Sequence, residues 1–221
     1  MTKQRYQKIL HVLQHRQPDL SVLAENIHKP HNLSAMLRSC DAVGIGKVHA
    51  VNPTGGVPTY NDTSASANKW VMLEVHASLS HALGAARQQG MQLLAAHFSD
   101  QARDYREIDY CQPSCILMGN EKWGVSDEAA AAADAHILIP MLGMIQSLNV
   151  SVATAVILFE AQRQRREAGY YQQARLQPEV LAAQAFRWLY PREAAQLSAE
   201  GKPFPALDDE GNILANSLTR G

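Results

Sequence analysis

The sequence predicts an α/β protein, in which helices alternate with the strands of a parallel sheet. Short apolar segments of strand length recur along the chain, and segments with helical periodicity separate them. A chain of 221 residues, 46 % hydrophobic and 19 % charged, is long and apolar enough to bury a substantial core. The same composition excludes a disordered tail, a collagen-like repeat and a low-complexity array.

The predicted elements begin with a helix over residues 1–20, where Tyr6, Ile9, Leu10 and Leu13 recur at helical spacing. Apolar runs predict strands at 21–27, 47–52, 70–76, 91–97, 114–118 and 136–140. Further helices are predicted at 31–42, 79–89, 126–134, 149–167, 178–190 and 192–200. Ser126 is the expected N-cap of the helix that follows it. The small, polar residues 54–68 predict a loop.

These elements divide the chain into an amino-terminal helix at 1–20, an α/β domain at 21–168 and a helical carboxyl-terminal extension at 169–221. The first ten residues hold no apolar signal core, and no apolar run reaches the ~20 residues of a membrane helix. Three cysteines, an odd and low number, suit a reducing compartment. We therefore expect a cytoplasmic protein with no membrane contact.

Common catalytic and metal-binding motifs are absent from the chain. It has no Walker A sequence, no G-x-S-x-G, no H-E-x-x-H and no C-x-x-C. Gly44-Ile45-Gly46 resembles the start of a dinucleotide fingerprint, but it precedes a strand and lacks the final glycine. Cys111 and Cys115 lack the second ligand pair of a zinc site, so we expect no metal site. The net charge of −1, taken alone, favours an enzyme that acts on a small molecule.

One candidate cluster combines Asn32 and Arg38 near a predicted helix start. An ideal helix places residues at this spacing on roughly opposite sides, so the two converge only if Asn32 lies at or before the helix start. Asn32 is equally well explained as an N-cap. An arginine in a mainly apolar helix needs an anion or an acceptor, and the guanidinium fork suits a phosphate.

Two further clusters follow predicted strands, where the ligands of parallel sheets bind. Residues 118–124, Met-Gly-Asn-Glu-Lys-Trp-Gly, place two glycines around a carboxylate, which is typical either of a ligand loop or of an ordinary turn. Residues 139–153 end a strand and open a helix at Ser147-Leu148-Asn149. Ser147 can cap this helix, yet Asn149 and Ser151 add more polar groups than a cap needs. Backbone N–H groups at this helix start, with apolar Met141 and Leu148 nearby, suit an adenosine-like ligand.

Three motifs, in this order along the chain, resemble those of the SpoU branch of the SPOUT superfamily, a group of RNA 2′-O-methyltransferases. They are N-x-x-A-x-x-R at 32–38, G-N-E-x-x-G at 119–124 and I-P-M-x-G-x-x-x-S-L-N-V-S-V-A at 139–153. The resemblance implies a Rossmann-like parallel sheet with a deep trefoil knot over about residues 91–160. It also implies S-adenosyl-L-methionine as the methyl donor, no required metal, and a homodimer whose active sites use both subunits.

The resemblance assigns roles to individual residues. The implied catalytic residues are Arg38, Asn32, Glu121, Ser147 and Asn149. The implied cofactor-binding residues are Leu94, Ala95, Ala96, His97, Leu117, Met118, Gly119, Asn120, Ile139, Pro140, Met141, Ser147 and Leu148. Members of the family carry Thr where this chain has Ala96. We therefore expect the backbone at this position, and no side-chain hydroxyl, to contact the cofactor. Because a guanidinium is a poor general base, we expect Arg38 to orient a phosphate and to stabilise the developing oxyanion.

The implied substrate is tRNA, and specifically guanosine 18 of the D-loop. The short amino-terminal helix and the helical tail are similar to those of the tRNA-modifying members of the branch. Ribosomal RNA is the alternative substrate for the same chemistry. A non-catalytic RNA-binding relative would be expected to lack Arg38 or the Ser147-Leu148-Asn149 helix start, and both are present. A small-molecule α/β enzyme is the alternative from a different class.

Basic residues concentrate in two places, although the net charge is only −1. The expected RNA-binding residues are Lys3, Arg5, Lys8 and Arg16 in the first helix, and Arg163, Arg165 and Arg166 in the long helix. Two local basic surfaces can neutralise RNA phosphates while the total charge stays near zero. His28, His31 and His97 are candidate bases because imidazole titrates near neutral pH.

Overall fold

A computed structural model describes residues 2–52, 69–120 and 122–214, so the loop predicted at 54–68 and Glu121 lie outside the described residues. The helices are α1 (Lys3–Gln14), α2 (Pro30–Ala42), α3 (Leu79–Gln88), α4 (Asp127–Ala132), α5 (Val150–Glu167), α6 (Pro178–Leu189) and α7 (Pro191–Ala199). The strands are β1 (Leu20–Glu25), β2 (Lys47–Val51), β3 (Met72–His76), β4 (Gln92–Ala96), β5 (Arg103–Asp104), β6 (Ser114–Met118) and β7 (Ala135–Leu138). None of the helices within these ranges is both long and apolar enough to span a bilayer.

Seven strands form one sheet in the order β3-β2-β1-β6-β4-β7-β5. In β1, Val22 lies opposite Val48 of β2 on one side and Ile116 of β6 on the other. All pairings between these strands are parallel, which confirms the predicted α/β class. The sequence does not predict β5, because a segment of two residues carries no periodicity.

Helices cover both faces of the sheet, and for this reason β1 and β6 are buried at every position. One face packs against α2 and α5 through Met36, Leu37 and Leu158. The other face packs against α3 and α4 through Leu83 and Ala129. Full burial of a leucine or methionine side chain contributes roughly 1.5–3 kcal/mol. The covered faces leave the ends of the strands as the accessible part of the sheet.

The chain divides into two compact units. One unit, residues 17–169, contains the sheet and α2 to α5. The other combines residues 1–16 with 170–221. In this second unit Ile9 and Leu13 of α1 share an apolar cluster with Ala185 and Leu189 of α6. The three-part division drawn from the sequence stays a prediction, and its two terminal parts contain helices that pack on each other.

Candidate active site

A cavity of about 900 Å³ opens at the carboxyl ends of β4, β6 and β7. Pockets for cofactors and drug-sized ligands have volumes of roughly 300–1,000 Å³. Ile137, Ile139 and Leu148 make part of the wall apolar, while His97 and Asn120 add polar groups. The predicted cofactor residues that line the cavity are Ala96, His97, Met118, Gly119, Asn120, Ile139, Met141, Ser147 and Leu148.

The other predicted cofactor residues are not part of the cavity wall. Leu94 and Ala95 of β4 and Leu117 of β6 are fully buried within their strands, so their side chains belong to the core. Pro140 is exposed between two residues of the wall. The wall begins only near the end of each strand, because helices cover the sheet before that point.

The cluster predicted at 139–153 includes the start of α5, but it did not identify the apolar side chains of that helix as part of the cavity wall. Val150, Ala153 and Ile157 line it from the first half of that helix, and Phe98 and Leu138 extend the wall beyond the predicted segments. The spacing of Val150, Ala153 and Ile157, by three and four residues, is the helical signal that could have identified this face.

Backbone packing constrains the loop that follows β6. A Cβ atom on Gly119 would lie 1.8 Å from the carbonyl carbon of Gly124, so only glycine fits there. The φ angle of Gly124 is +70°, in the region that glycine adopts most readily. The side-chain oxygen of Asn120 accepts hydrogen bonds from the Lys122 and Trp123 amides, at 2.9 and 2.7 Å. The loop therefore has a defined turn next to the cavity.

A buried carboxylate attaches the end of this loop to the sheet. Glu25, the last residue of β1, accepts a hydrogen bond from the Ser126 amide at 2.9 Å. The Ser126 hydroxyl oxygen in turn accepts one from the Ala129 amide at 3.1 Å, which confirms Ser126 as the N-cap of α4. The loop is thus held at the point where it enters the helix.

Asn32 and Asn149, two predicted catalytic residues, meet in the structure. The Asn149 amide donates a hydrogen bond to the side-chain oxygen of Asn32 at 3.2 Å. The interpretation of Asn32 as an N-cap is wrong, because α2 begins at Pro30 after the cap residue Lys29, and Asn32 is buried in the first turn. Asn149, rather than Ser147, caps α5 by accepting from the Ser151 amide at 2.8 Å.

Arg38 differs from its predicted environment. The mainly apolar sequence around Arg38 predicted a buried arginine that needs an anion or an acceptor, but Arg38 lies on the exposed face of α2. Within the described ranges its guanidinium makes no hydrogen bond or ion pair. The apolar residues around it in the sequence, Met36 and Leu37, point to the core while Arg38 points to solvent. Its guanidinium is available to an anion from outside the chain.

Of the three histidines considered as bases, one reaches the cavity. His97 lines it and lies edge-on to His136, with ring centroids 5.0 Å apart. His136 is held at both ring nitrogens, by the Ser99 hydroxyl at 2.8 Å and the Ala130 carbonyl at 2.9 Å. His28 lies 3.3 Å from the Asn52 amide and His31 is exposed, and neither lines the cavity.

Two of the seven predicted RNA-binding residues are buried, which corrects the prediction for both. Arg165 is completely buried on α5, where it donates to the Asp19 carboxylate at 2.6 Å and to the Tyr110 carbonyl at 2.8 Å. Arg16 is 3 % exposed, and its guanidinium lies 5.5 Å from the ring centroid of Trp188. Neither side chain is placed to contact a phosphate in this fold.

The remaining predicted RNA-binding residues are exposed. Arg163 forms ion pairs with Glu160 and Glu167 of its own helix, at 2.8 and 2.7 Å. Lys3 lies 3.7 Å from Glu210. The others that reach the surface are Arg5, Lys8 and Arg166.

The cavity and its motif loops define the class of protein. Residues 19–159 match the model of the SpoU rRNA Methylase family, and residues 163–216 match that of the SpoU rRNA methylase carboxyl-terminal region. The chain therefore belongs to the SpoU methylase family. It is 58 % identical over 188 residues to the tRNA (guanosine(18)-2′-O)-methyltransferase of Thermus thermophilus, which covers 85 % of this chain and 97 % of that protein.

Solved structures support the same relationship. The crystal structure of the Aquifex aeolicus TrmH/SpoU tRNA modifying enzyme matches with a TM-score of 0.80 and 40 % identity, over 85 % of this chain and 96 % of that chain. The AdoMet-bound rRNA methyltransferase from Sinorhizobium meliloti matches with a TM-score of 0.56 and 30 % identity, over 70 % of this chain and 59 % of that chain.

Proposed function

We propose that this chain transfers a methyl group from S-adenosyl-L-methionine to the ribose 2′-oxygen of guanosine 18 in tRNA. The observation that carries the proposal is the cavity at the ends of β4, β6 and β7, which the S-L-N start of α5 adjoins. The Thermus relative, named for this reaction, aligns with nearly its whole length to this chain. Methylation of ribosomal RNA by the same chemistry is the alternative. The Sinorhizobium neighbour, which is named as an rRNA methyltransferase, supports this alternative.

The cavity wall suits the proposed methyl donor. Apolar Ile139 and Leu148 can flank an adenine ring, and Asn120 and Ser147 offer polar atoms to the rest of the molecule. Gly119 has no side chain to obstruct the loop that closes one side. When bound, S-adenosyl-L-methionine supplies a sulfonium methyl group that an oxygen nucleophile can take up. The backbone near Ala96 would contact it without a side-chain hydroxyl.

We propose catalytic roles for residues of α2, of the segment that opens α5 and of the motif that follows β6. Arg38, exposed and ready for an outside anion, binds the RNA phosphate and stabilises the developing 2′-oxyanion. Asn32 positions Asn149 through their hydrogen bond. Ser147 holds the ribose or the cofactor from the cavity wall. Glu121, outside the described residues, is proposed to order its loop.

We propose a homodimer in which the second copy covers an apolar segment beside the cavity. Leu142 and Met144 are essentially fully exposed, and Ile145 is 64 % exposed. Ile145 also lines the cavity, so a partner seated on this segment would close the site. Three large apolar side chains clustered at a surface are typical of an interaction site.

We also propose the deep trefoil knot over about residues 91–160, as the resemblance implies. The strand order supports this proposal, because β6 lies between β1 and β4, and β7 lies beside β4. The proposed setting is the cytoplasm, with tRNA as the partner. The proposed RNA contacts are Lys3, Arg5, Lys8, Arg163 and Arg166.

The decisive experiment mixes the protein, labelled S-adenosyl-L-methionine and a tRNA transcript. Label should enter the transcript and should be lost when guanosine 18 is replaced by adenosine. Ribosomal RNA in a parallel reaction tests the alternative substrate, and label in ribosomal RNA alone would contradict the tRNA proposal. Transfer should proceed unchanged in EDTA, because we propose no metal in the reaction.

A further inference from the structure

Three possible metal ligands lie together on the two strands at one end of the sheet. His49 of β2 is opposite Glu74 of β3 in the strand register, and Val51 is opposite His76. Residues two apart in a strand point to the same face, so the side chains of His49, Glu74 and His76 share one face of the sheet. None of the three lines the methyl-transfer cavity.

The donor atoms of these residues converge. His49 Nδ1 lies 2.9 Å from His76 Nε2 and 3.8 Å from Glu74 Oε2, and His76 Nε2 lies 4.0 Å from Glu74 Oε1. A tetrahedral zinc ion with ligand distances of ~2.0–2.2 Å has its ligand atoms roughly 3.4 Å apart. The observed spacings lie on either side of this value, so small side-chain adjustments would place all three donors around one ion.

The three side chains differ in exposure, since the two imidazoles are largely buried and the carboxylate is partly open to solvent. The His49 side chain is completely buried and that of His76 is 10 % exposed, so the sheet holds both imidazoles in place. Glu74 is 39 % exposed, which provides an entrance from solvent. Within the described ranges His49 Nε2 has no hydrogen-bond partner. Among the residues that the structure describes, the ring therefore makes its polar contacts through Nδ1, which faces His76 and Glu74.

The contact between the two histidines has room for only one hydrogen. Each nitrogen carries either a hydrogen or a lone pair, so at 2.9 Å one of them donates and the other accepts. When His49 carries its hydrogen on Nε2 and His76 carries its hydrogen on Nδ1, the lone pairs of His49 Nδ1 and His76 Nε2 face the same point. That tautomer is the one in which imidazoles bind metal ions.

Lys47 competes for the same carboxylate. Its ammonium nitrogen lies 3.0 Å from Glu74 Oε2, and its side chain is 37 % exposed. Moving the exposed Lys47 ammonium group from Glu74 into water costs little free energy, because a surface ion pair contributes only about 0–1 kcal/mol of stability. A divalent ion held by two imidazoles can therefore displace it.

We propose that His49 Nδ1, the Glu74 carboxylate and His76 Nε2 bind one divalent ion of the zinc class, with water completing the coordination. Two imidazoles and one carboxylate are a donor set that zinc accepts, whereas magnesium and calcium favour oxygen donors only. The ion joins β2 to β3 at the end of the sheet. Its role is to stabilise this edge, and it takes no part in methyl transfer.

The test uses full-length protein freed of metal with EDTA and then dialysed against Zn²⁺ or Co²⁺. We expect one ion per chain, the visible absorption of tetrahedral Co²⁺, and a Tm that rises with zinc concentration. His76→Gln should weaken zinc binding more than about 100-fold, since even second-shell changes cost 10–100-fold. His81→Gln, an exposed histidine of α3, is the matched control and should bind like the unchanged protein.

Two results would overturn the proposal. One is the absence of stoichiometric zinc binding by the unchanged protein. The other is zinc binding that is unchanged in both His76→Gln and Glu74→Gln; its loss in His15→Gln would then locate the ion at His11 and His15, near the carboxyl end of α1. The methyl-transfer rate of His76→Gln should stay within about twofold of normal, and this separates the metal site from the proposed function.

Discussion

A single side chain, that of Asn149, serves two neighbours at once. Its oxygen accepts hydrogen bonds from the Ser151 amide at 2.8 Å and the Ser151 hydroxyl at 2.7 Å. Its amide nitrogen donates to Asn32. Since the two ends of one planar group are both engaged, the orientation of Asn149 is fixed. The contact joins the first turn of α2 to the start of α5.

Asn149→Asp separates these two functions. Aspartate caps helices as well as asparagine does, so the free energy of unfolding should change by less than about 0.5 kcal/mol from the loss of capping. A carboxylate cannot donate to Asn32, so the methyl-transfer rate should fall at least tenfold if that contact positions the site. Asn149→Ala removes both functions and should in addition lose about 1 kcal/mol of stability. Urea unfolding and single-turnover transfer measure the two effects; equal rates for Asn149→Asp and the unchanged protein would exclude positioning through Asn32.

Arg38→Lys tests whether the planar guanidinium is needed. We expect the single-turnover rate to fall about 100-fold, because loss of a preorganised donor to an oxyanion typically costs 10²–10³. The Tm should not change, since the side chain is exposed and has no partner within the described ranges. The rate is measured against pH, and a near-normal rate for the lysine variant would eliminate any role that requires the fork.

At the scale of elements, the loop between β6 and α4 depends on one glycine. Gly119→Ala would force a Cβ into the Gly124 and Val125 backbone, so the loop has to move. We expect the Kd for S-adenosyl-L-methionine to rise more than about tenfold, measured by calorimetry, because a displacement of about 1 Å can be this costly. Gly84→Ala in α3 is the control, since its Cβ meets nothing within 4 Å and alanine stabilises a helix by about 1 kcal/mol. Unchanged affinity in Gly119→Ala would show that the loop does not shape the cofactor site.

Asp134, which directly precedes β7, is bonded to α3 through Arg87 and to β4 through Leu93, and it should make the free energy of unfolding depend on pH. Burial opposes its ionisation, but hydrogen bonds from Arg87 and from the Leu93 amide outweigh burial and lower the carboxyl pKa. Because the pKa is lower in the folded state, the ionised carboxyl group stabilises the fold at pH values above its unfolded-state pKa of about 3.9. This stabilisation is lost as the pH falls through the pKa of the folded state.

Asp134→Asn should therefore be less stable than the unchanged protein from pH 5 to pH 8. The difference should shrink below about pH 4 and vanish once the native carboxyl is protonated. Urea unfolding at a series of pH values measures it. A difference that does not depend on pH would show that the asparagine disturbs packing and that the charge of Asp134 is not the cause.

Periodicity predicted most elements because burial repeats along strands and helices. It gave the parallel sheet through runs such as residues 114–118, and it placed the motif loops at strand ends. It failed where the environment depends on distant segments. Arg165 looks like part of a polar helix end, yet its partners Asp19 and Tyr110 lie far away in the sequence. The same reason hides His49 and His76, which come from different strands.

At the scale of the whole molecule, the exposed segment near the cavity should control assembly. Leu142→Glu should convert the proposed dimer to a monomer and abolish methyl transfer, because it puts a charge into an apolar contact. The fold should survive, as the leucine is fully exposed in the single chain. Light scattering after size exclusion gives the mass. Val75→Glu, at an exposed position of β3, is the control, and a monomeric unchanged protein would contradict the dimer.

The buried Arg165 has a consequence for genetics. Its guanidinium also donates to the Gln17 side chain and to the Asp19 and Gln112 carbonyls, each at 3.2 Å. Removing it leaves these acceptors and the Asp19 carboxylate unsatisfied, which costs several kcal/mol in a buried setting. A strain carrying Arg165→Ala should therefore lose tRNA modification at elevated growth temperature and regain it on cooling. Such temperature-sensitive alleles would report on protein folding, although the lost arginine would at first suggest a defect in holding RNA.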